Sequence, residues 1–529
     1  MADYIGKKFF NNTKKIFPGI YYSWKLIYHI VNMESLLKLQ NGSDIRGVAL
    51  DGVEGEKVNL TQDSCYKIGA AFVRWLSGKT GIAPEKLRIG IGMDSRLSGP
   101  DLEKAVVGGM LSEKACVVRT GLSTTPAMFM STVFEETKYN GSIMITASHL
   151  PFNRNGLKFF DVNGGLEHDD ITDILEIAET IQSGSFETTD NTFNLLSLYS
   201  NHLKNSVCAQ LGTTADKKPL SGLKIVVDAG NGCGGFFARI LSELGADTNG
   251  SSFLDPDGHF PNHIPNPENK EAMAAIQNST ISNKADLGLI FDTDVDRMSC
   301  VLDNGSEVNR DAIIALVAAI LAPSYPGSTI ITDSVTSDRL TYFLEDVLKL
   351  KHLRYMRGYK NVINKCIELN SKGVTSPLAM ETSGHGALKE NYYLDDGAFL
   401  AVKIVAALAK AKSEGKKLGD LISALPALVE EGEYRFKIDC DDFKEYGKKV
   451  LETFKARAIE KGYILPESFE GVRLSFKGDV KGWILLRMSL HDPVMPLNIE
   501  SEIPGGVEKL KEIARELISG FDKLTAKGF

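Results

Sequence analysis

Three stretches of the chain share one hydrophobic rhythm. "LRIGIGMDSRLSGPDLEKAVVGGML" reads as an apolar strand ending in Asp94, a turn, then a helix. "LKIVVDAGNGCGGFFARILSELG" repeats this around Asp228, and "STIITDSVTSDRLTYFLEDVLKL" around Asp333. Each strand is continuously apolar, as expected of a sheet covered on both faces. Each helix begins just after polar or glycine residues, where caps and anion sites form. The pattern predicts three α/β units with mainly parallel sheets.

From Glu433 to Phe529 the rhythm changes to strand, helix, three closely spaced strands and helix. "GVRLSF", "GWILLRMSL" and "PLNIESEI" are the three strands, and the segment predicts an α+β domain. Boundaries are expected near Leu195, at "APSYPGS" (322–328) and at "VEEGEY" (429–434). The division is then an N-terminal extension at 1–37 and domains at 38–195, 196–323, 324–431 and 432–529.

Composition narrows the function classes. The 529 residues are 43% hydrophobic and 24% charged, ordinary for a soluble globular protein with a sizeable core. A net charge of -8 leaves no footprint for nucleic acid, although the local charge of a cleft still decides whether an anionic substrate binds. Seven cysteines, an odd number without a close pair, point to reduced thiols inside a cell. The longest apolar run, Ala312 to Ala322, falls short of the roughly 20 residues that span a bilayer, so a buried helix and no membrane partner are expected. The first segment carries Lys7, Lys8, Lys14, Lys15 and Lys25 with many aromatics and few acids. A cytoplasmic protein with a surface extension is the expectation, and a plastid-type targeting segment is the competing one.

The strongest local chemistry is "LGLIFDTDVDRMSCVLD". Alternate residues of an extended chain point the same way, so Asp292, Asp294 and Asp296 converge on one side. Three anions together need a cation, and hard oxygen ligands suit Mg²⁺ or Ca²⁺. An EF-hand needs Gly at its sixth position and flanking helices; here Arg297 stands there and the flanks are strand-like, so Mg²⁺ fits better.

In "GSIMITASHLPFNRNGLKFF" an apolar strand stops at Ser148 and His149, and a bent loop leads to Lys158. A hydroxyl at a strand end lies where α/β folds place ligand sites, but serine alone is a weak nucleophile, and a strand-end cap is the simpler reading. "LAMETSGHGALKENYYLDDGA" offers Glu381, Ser383 and His385 after another strand. The carboxylate and hydroxyl suit neighbouring sugar hydroxyls, and His385 suits acid–base work; a structural turn explains the stretch equally well.

Taken together and in order, these loops resemble the α-D-phosphohexomutase family, from roughly Leu39 to Phe521. "TASHLPFNRNGLKFF" is similar to its phosphoserine loop, "DTDVDR" to its metal loop and "ETSGH" to its sugar loop. "NGSDIRG", "GMDSRLSGPDL", "DPDGHFPNHIPNP" and "DDGA" resemble further family segments. The resemblance implies four domains around one deep cleft. It implies interconversion of hexose 1- and 6-phosphates, with a phosphoryl group on Ser148 and a hexose bisphosphate as intermediate and activator. It also implies Mg²⁺ on Asp292, Asp294, Asp296 and the serine oxygen, with Lys158 as first acid/base and His149 and His385 behind it. Glu381, Ser383, Arg46 and Lys360 then hold the sugar phosphate; the bland readings are an ion pair for Arg46 and a solvated lysine for Lys360. A monomer or weak homodimer is expected.

The departures are specific. Where the family's phosphate-binding loop reads Arg-x-Ser-Gly-Thr-Glu-Pro, this chain has Arg487, Met488, Ser489, Leu490, His491, Asp492 and Pro493. Arg487 and Ser489 remain as phosphate ligands and His491, in place of the threonine, offers a donor instead, but losing the glycine predicts a weaker or differently shaped site. Leu150 replaces the Asn after Ser-His, and Thr293 and Val295 replace small residues of the metal loop. The alternatives are a catalytically weak sugar-phosphate-binding regulator and a mutase for amino-sugar phosphates. The preferred hexose is not legible.

Overall fold

The computed structural model describes residues 35–489 and 492–529. Most of the N-terminal extension therefore lies outside the described residues. The described chain begins at Ser35, whose hydroxyl donates to Glu179 at 2.5 Å, with the Leu36 amide on the same carboxylate at 3.0 Å.

Four sheets follow one another along the chain. In the first, Gly141–Ile145, Arg88–Met93 and Cys116–Leu122 run parallel. Arg154–Asp161 then pairs antiparallel with Gly141–Ile145, and Asp44–Val48 antiparallel with Arg154–Asp161. The second sheet has Ile225–Asp228 parallel to Leu287–Phe291, which turns back antiparallel into Met298–Leu302. In the third, Lys351–Arg354, Thr329–Thr332 and Leu378–Met380 are parallel, and Gly386–Leu388 and Leu394–Asp395 extend it antiparallel.

The sheets are thus mixed where mainly parallel ones were expected. The strand–turn–helix rhythm reports the parallel strands, which need a crossover helix. The other strands enter through short hairpins, and in each sheet one of these hairpins carries a loop singled out in the sequence. They are 146–153 in the first sheet, 292–297 in the second and 381–385 in the third.

The fourth sheet pairs antiparallel throughout: Val472–Phe476, Gly482–Leu486, Val494–Ser501 and Glu430–Ile438, with a short edge at Leu524–Thr525. Helices Phe443–Glu460 and Gly506–Leu517 contribute Phe454, Ala458, Leu510 and Ala514 to its core. Three α/β units and one α+β unit are the architecture the patterning predicted.

A single apolar core ties the first three units together. Met128 and Met130, Phe237 and Phe291, and Leu316 and Leu400 belong to it, so residues from all three share one packed interior. Tyr199 reinforces it by donating to Asp396 at 2.6 Å from helix Leu195–Leu211. Helix Asp311–Leu321, which contains most of the long apolar run, is buried in this core. The fourth unit joins the third through a small cluster of Val335, Trp483 and Leu485. Among the described residues no helix is long and apolar enough to cross a membrane.

Candidate active site

The first-sheet hairpin brings Ser148 to the strand end with φ of 51°. A non-glycine residue in the left-handed region costs about 1–3 kcal/mol and persists only where its surroundings fix it. Here they do. The Ser148 amide donates to Thr146 Oγ1 at 2.9 Å, and Arg96 holds the loop from beneath. The Arg96 guanidinium donates to the carbonyls of Ser148 (2.5 Å), Leu150 (2.6 Å), Pro151 (2.8 Å) and Arg154 (3.0 Å). It is buried and paired with Asp94 at 3.3 Å.

The second-sheet hairpin delivers the acidic loop against this serine. Ser148 Oγ donates to Asp292 Oδ2 at 2.9 Å, and Lys158 Nζ donates to Asp296 Oδ2 at 2.7 Å. Thr125 holds the third acid, donating to Asp294 Oδ2 at 2.5 Å. Arg297 spans the junction, with Nε on Asp292 Oδ2 and Nη2 on Ser148 Oγ, each at 3.1 Å. All three aspartates are buried, and each offers a carboxylate oxygen within 4.8 Å of the others.

Like charges at such distances repel by about 3–4 kcal/mol per pair at an effective dielectric constant of about 20. Lys158 and Arg297 supply two positive charges against three negative ones. The carboxyl groups respond differently. Burial, then Asp296 and Asp294, hold Asp292 well above the usual carboxylate range. Burial pushes Asp296 the same way, but Lys158, His385 and Arg297 outweigh it and hold its carboxyl low. Oδ1 of Asp294 and Oδ1 of Asp296 are buried without a hydrogen-bond partner. Converging hard oxygens, two of them orphaned, fit a divalent cation of the Mg²⁺ type.

Two backbone features shape the acidic loop. Val295 has φ of 67°, an outlier for a β-branched residue. It is held there because its carbonyl accepts from the Gly397 amide at 3.1 Å. A Cβ on Gly397 would stand 2.6 Å from the Arg297 carbonyl carbon, so the glycine of "DDGA" is what lets the third unit press on this loop.

His149 and His385 part company. Burial, Arg297 and Arg46 push the His149 imidazole down to about 2, so it is neutral and its Nδ1 accepts from Arg297. His385 is half-buried, and burial opposes its charge, but Asp395 and Asp296 outweigh that and raise it to about 9. Its Nδ1 pairs with Asp395, and Tyr359 stacks on it with ring centroids 5.5 Å apart. Burial also opposes the Lys158 ammonium, yet Asp296 and Asp44 keep it protonated, above the ordinary lysine range.

The sugar-loop candidates lie alongside. Glu381 is buried and its Oε1 accepts from the Gly358 amide at 2.7 Å; the buried Ser383 hydroxyl has no partner. Arg46 pairs with Asp44 at 2.9 Å, and its charge still reaches Asp294. Lys360 turns to the Gly165 carbonyl at 2.6 Å and to Glu167 at 2.8 Å, so it bridges the first and third units. Lys360 also lines the cavity between these units, and Arg357, next to Gly358, is a further cation near Glu381. Arg487 pairs with Glu470 at 3.2 Å, and Ser489 Oγ accepts from the Asp492 amide at 3.3 Å. His491 and Leu490 lie outside the described residues. A cavity of about 180 Å³, lined by Asp44, Lys158, Asp296, Tyr359 and Asp395 among others, opens between the first and third units.

Sequence reasoning missed the supporting residues. Arg96, Thr125, Tyr359 and Asp395 each hold a member of the centre. Arg96 stood in "GMDSRLSGPDL" and Asp395 in "DDGA", but Arg96 reaches Ser148 across 52 positions and Asp395 meets His385 across a hairpin, and no local pattern names either contact.

Comparison with known proteins agrees with this geometry. Models of phosphoglucomutase/phosphomannomutase alpha/beta/alpha domains I, II and III match residues 38–186, 197–305 and 309–429. The chain is 29% identical over 472 residues to a phosphomannomutase/phosphoglucomutase of Pseudomonas syringae pv. tomato, covering 89% of this chain and 92% of that protein. It is 28% identical over 488 residues to a phosphoglucomutase of Neisseria gonorrhoeae, covering 90% and 95%. The crystal structure of a phosphoglucomutase/phosphomannomutase family protein from Burkholderia thailandensis superposes with a TM-score of 0.74 at 25% identity, covering 91% of this chain and 98% of that one. With all three domain models matched in order around one serine–aspartate centre, the chain belongs to the phosphoglucomutase/phosphomannomutase family of α-D-phosphohexomutases.

Proposed function

We propose that this protein interconverts hexose 1-phosphate and hexose 6-phosphate through a phosphoserine at Ser148 and a hexose bisphosphate intermediate. The observation that carries the reading is the Ser148 hydroxyl 2.9 Å from Asp292, inside a buried trio of aspartates. Phosphoryl transfer asks little covalent chemistry of a protein beyond in-line positioning and charge neutralisation. When bound by Asp292, Asp294, Asp296 and the serine oxygen, Mg²⁺ would neutralise phosphoryl oxygens.

The chain's own residues do the rest. As the sugar hydroxyl forms its bond to phosphorus, the bond from phosphorus to Ser148 Oγ breaks. The hydroxyl proton passes to a base and the serine oxygen takes one from an acid. Lys158, kept charged by Asp296, is the leading donor to the serine oxygen. His385, kept charged by Asp395, is a second candidate. His149 is neutral and accepts from Arg297, so its part is to aim the guanidinium that also touches Ser148. Glu381 and Ser383 grip sugar hydroxyls in either orientation, which a mutase requires.

The test is Ser148→Ala with glucose 1-phosphate, glucose 1,6-bisphosphate and Mg²⁺. Loss of glucose 6-phosphate formation, with loss of phosphate from this residue by mass spectrometry, is the expected result. Full turnover in the variant would discard the mechanism. Binding without turnover in the native protein would favour the regulatory alternative.

A further inference from the structure

An open groove of about 720 Å³ runs along the first unit, between helices Gln62–Thr80 and His168–Glu179. Trp75, Gly78 and Ile177 line its apolar part, and Asp173 and Glu176 its acidic rim. Gly78 is exposed within its helix, and a Cβ there would meet nothing within 4 Å. Glycine weakens a helix relative to every residue but proline. Here the missing side chain keeps the groove clear.

The charges of the groove do not balance. Arg74 is taken by Glu113 at 2.7 Å. Lys79 is taken by Asp170 at 3.3 Å and Asp161 at 3.5 Å, with its ammonium 4.4 Å from the centre of the Trp75 ring. Asp173, Glu176 and Glu179 follow at intervals of three along one helix face, all exposed, and none has a cationic partner among the described residues. Like charges at that spacing repel. They also crowd the C-terminal half of the helix, where the helix dipole favours cations, and the last turn carries no basic residue.

The described chain begins at this place. The Ser35 hydroxyl and the Leu36 amide both bind Glu179. The residues before Ser35 carry Lys7, Lys8, Lys14, Lys15 and Lys25 against Asp3 and Glu34, with Tyr22, Trp24 and Tyr28 close to the last lysine. The ten positions from Lys25 to Ser35 span about 15 Å as a helix and up to about 35 Å extended. The nine from Asp170 to Glu179 span about 14 Å of helix. Lys25 therefore reaches every acid of the groove.

We propose that the amino-terminal segment of this chain, residues 1–34, docks in this groove, with its lysines on Asp173 and Glu176 and its aromatic rings over Ile177 and the open space at Gly78. The covalent tether holds the segment at an effective concentration of about millimolar, so contacts that are weak on their own suffice. Lys79 and Asp170 line both the groove and the cavity between the first and third units, so the docked segment leads from Glu179 toward that cavity. The inference stands apart from the mutase reading.

Carbodiimide crosslinking of the full-length protein joins a lysine to a carboxylate that it touches, and so reads the docking directly. An equal mixture of unlabelled and isotopically heavy chains separates contacts within one copy from contacts between copies. Links from Lys14, Lys15 or Lys25 to Asp173 or Glu176 are expected within single chains, and are expected to fade at about 0.5 M salt, where exposed charges are screened. Links in mixed-isotope pairs would give the groove to a second copy. No link from the segment to these acids would leave it to another partner, and either result would overturn the proposal. Tryptic cleavage after Lys25 under native conditions is the second measurement. Gly78→Phe fills the groove, and Asp173→Asn with Glu176→Gln discharges its rim; all three positions are exposed. Cleavage is expected to speed up by about twofold to tenfold in each variant, as for loss of one or two exposed ion pairs. Cleavage at the native rate in both would overturn the proposal as well.

Discussion

Ser148 and Asp292 stand 144 positions apart in the chain, yet the hydroxyl of one donates to the carboxylate of the other at 2.9 Å. The contact joins a hairpin of the first sheet to a hairpin of the second, and the common core of the first three units holds it in place. The centre is therefore a property of how the units pack, and four predictions follow from that packing.

Cation binding should show as stability. Without a cation the buried aspartates repel one another, so a cation that binds only the folded protein must stabilise it. Mg²⁺ at a hundredfold excess over its dissociation constant should add about 2.7 kcal/mol. The thermal midpoint of chelator-treated protein is expected to rise with Mg²⁺, and Asp294→Asn to abolish the rise. A Mg²⁺ response that survives in the variant would remove the trio as the ligand set.

Lys158 should act on the chemical step. Lys158→Met removes the ammonium that Asp296 keeps charged, and turnover is expected to fall by about a hundredfold to ten-thousandfold. KM for glucose 1-phosphate should change little by comparison. A fall carried by KM alone would make Lys158 a binding residue.

Arg96 should prove structural. Its guanidinium satisfies four loop carbonyls and pairs with the buried Asp94. Arg96→Met would leave that carboxylate uncompensated, at a cost of about 3–5 kcal/mol. Urea unfolding measures this, and a loss below about 1 kcal/mol would show that the loop holds itself.

His352 should give the stability a pH dependence. Its two ring nitrogens lie 2.8 Å from the hydroxyls of Thr332 and Thr341. Burial, then Arg354 and Arg473, hold the imidazole well below its ordinary value of 6.5. The folded state thus disfavours the charged ring. The contribution is present above pH 6.5 and is lost as the pH falls below it, because the unfolded chain takes up the proton first. Urea midpoints should drop between pH 7.5 and pH 5.5, and His352→Gln should flatten that drop. An equal drop in the variant would assign it to other groups.

Some elements were plain in the sequence because their signals are local. Strands ending at Asp94, Asp228 and Asp333 were legible from unbroken apolar runs, and the structure shows why the first two end in an acid. Asp94 and Asp228 each accept from the amide two residues on, at 2.9 Å, and so close the turn that follows. The acidic trio was legible as a cluster, but a turn with Val295 at φ of 67° brings it together, not the extended chain that the spacing of two assumed. The antiparallel extensions were not legible, because a hairpin strand leaves the same period-two signal whichever neighbour it joins.

The site residues divide in the same way. Ser148 and Lys158 flank one hairpin, and their strand partners are fixed within a few residues. Lys360, a candidate contact by resemblance, lines the cavity between the first and third units and pairs with Glu167 from helix Tyr359–Ser371, while Arg357 lies near Glu381. Arg357 precedes the helix cap at Gly358 and Lys360 follows it, and no local pattern reports where each side chain goes.

By itself the sequence determined the units, the loops that carry chemistry and the kinds of side chain in them, because hydrophobic period and turn chemistry act over a few residues. Only the tertiary structure decided the protonation of His149 and His385, the anchoring of Ser148 by Arg96 and the pairing of Glu470 with Arg487. Those depend on burial and on charges brought together from distant parts of the chain, and the energy of a charge is set by its neighbours in space rather than along the backbone.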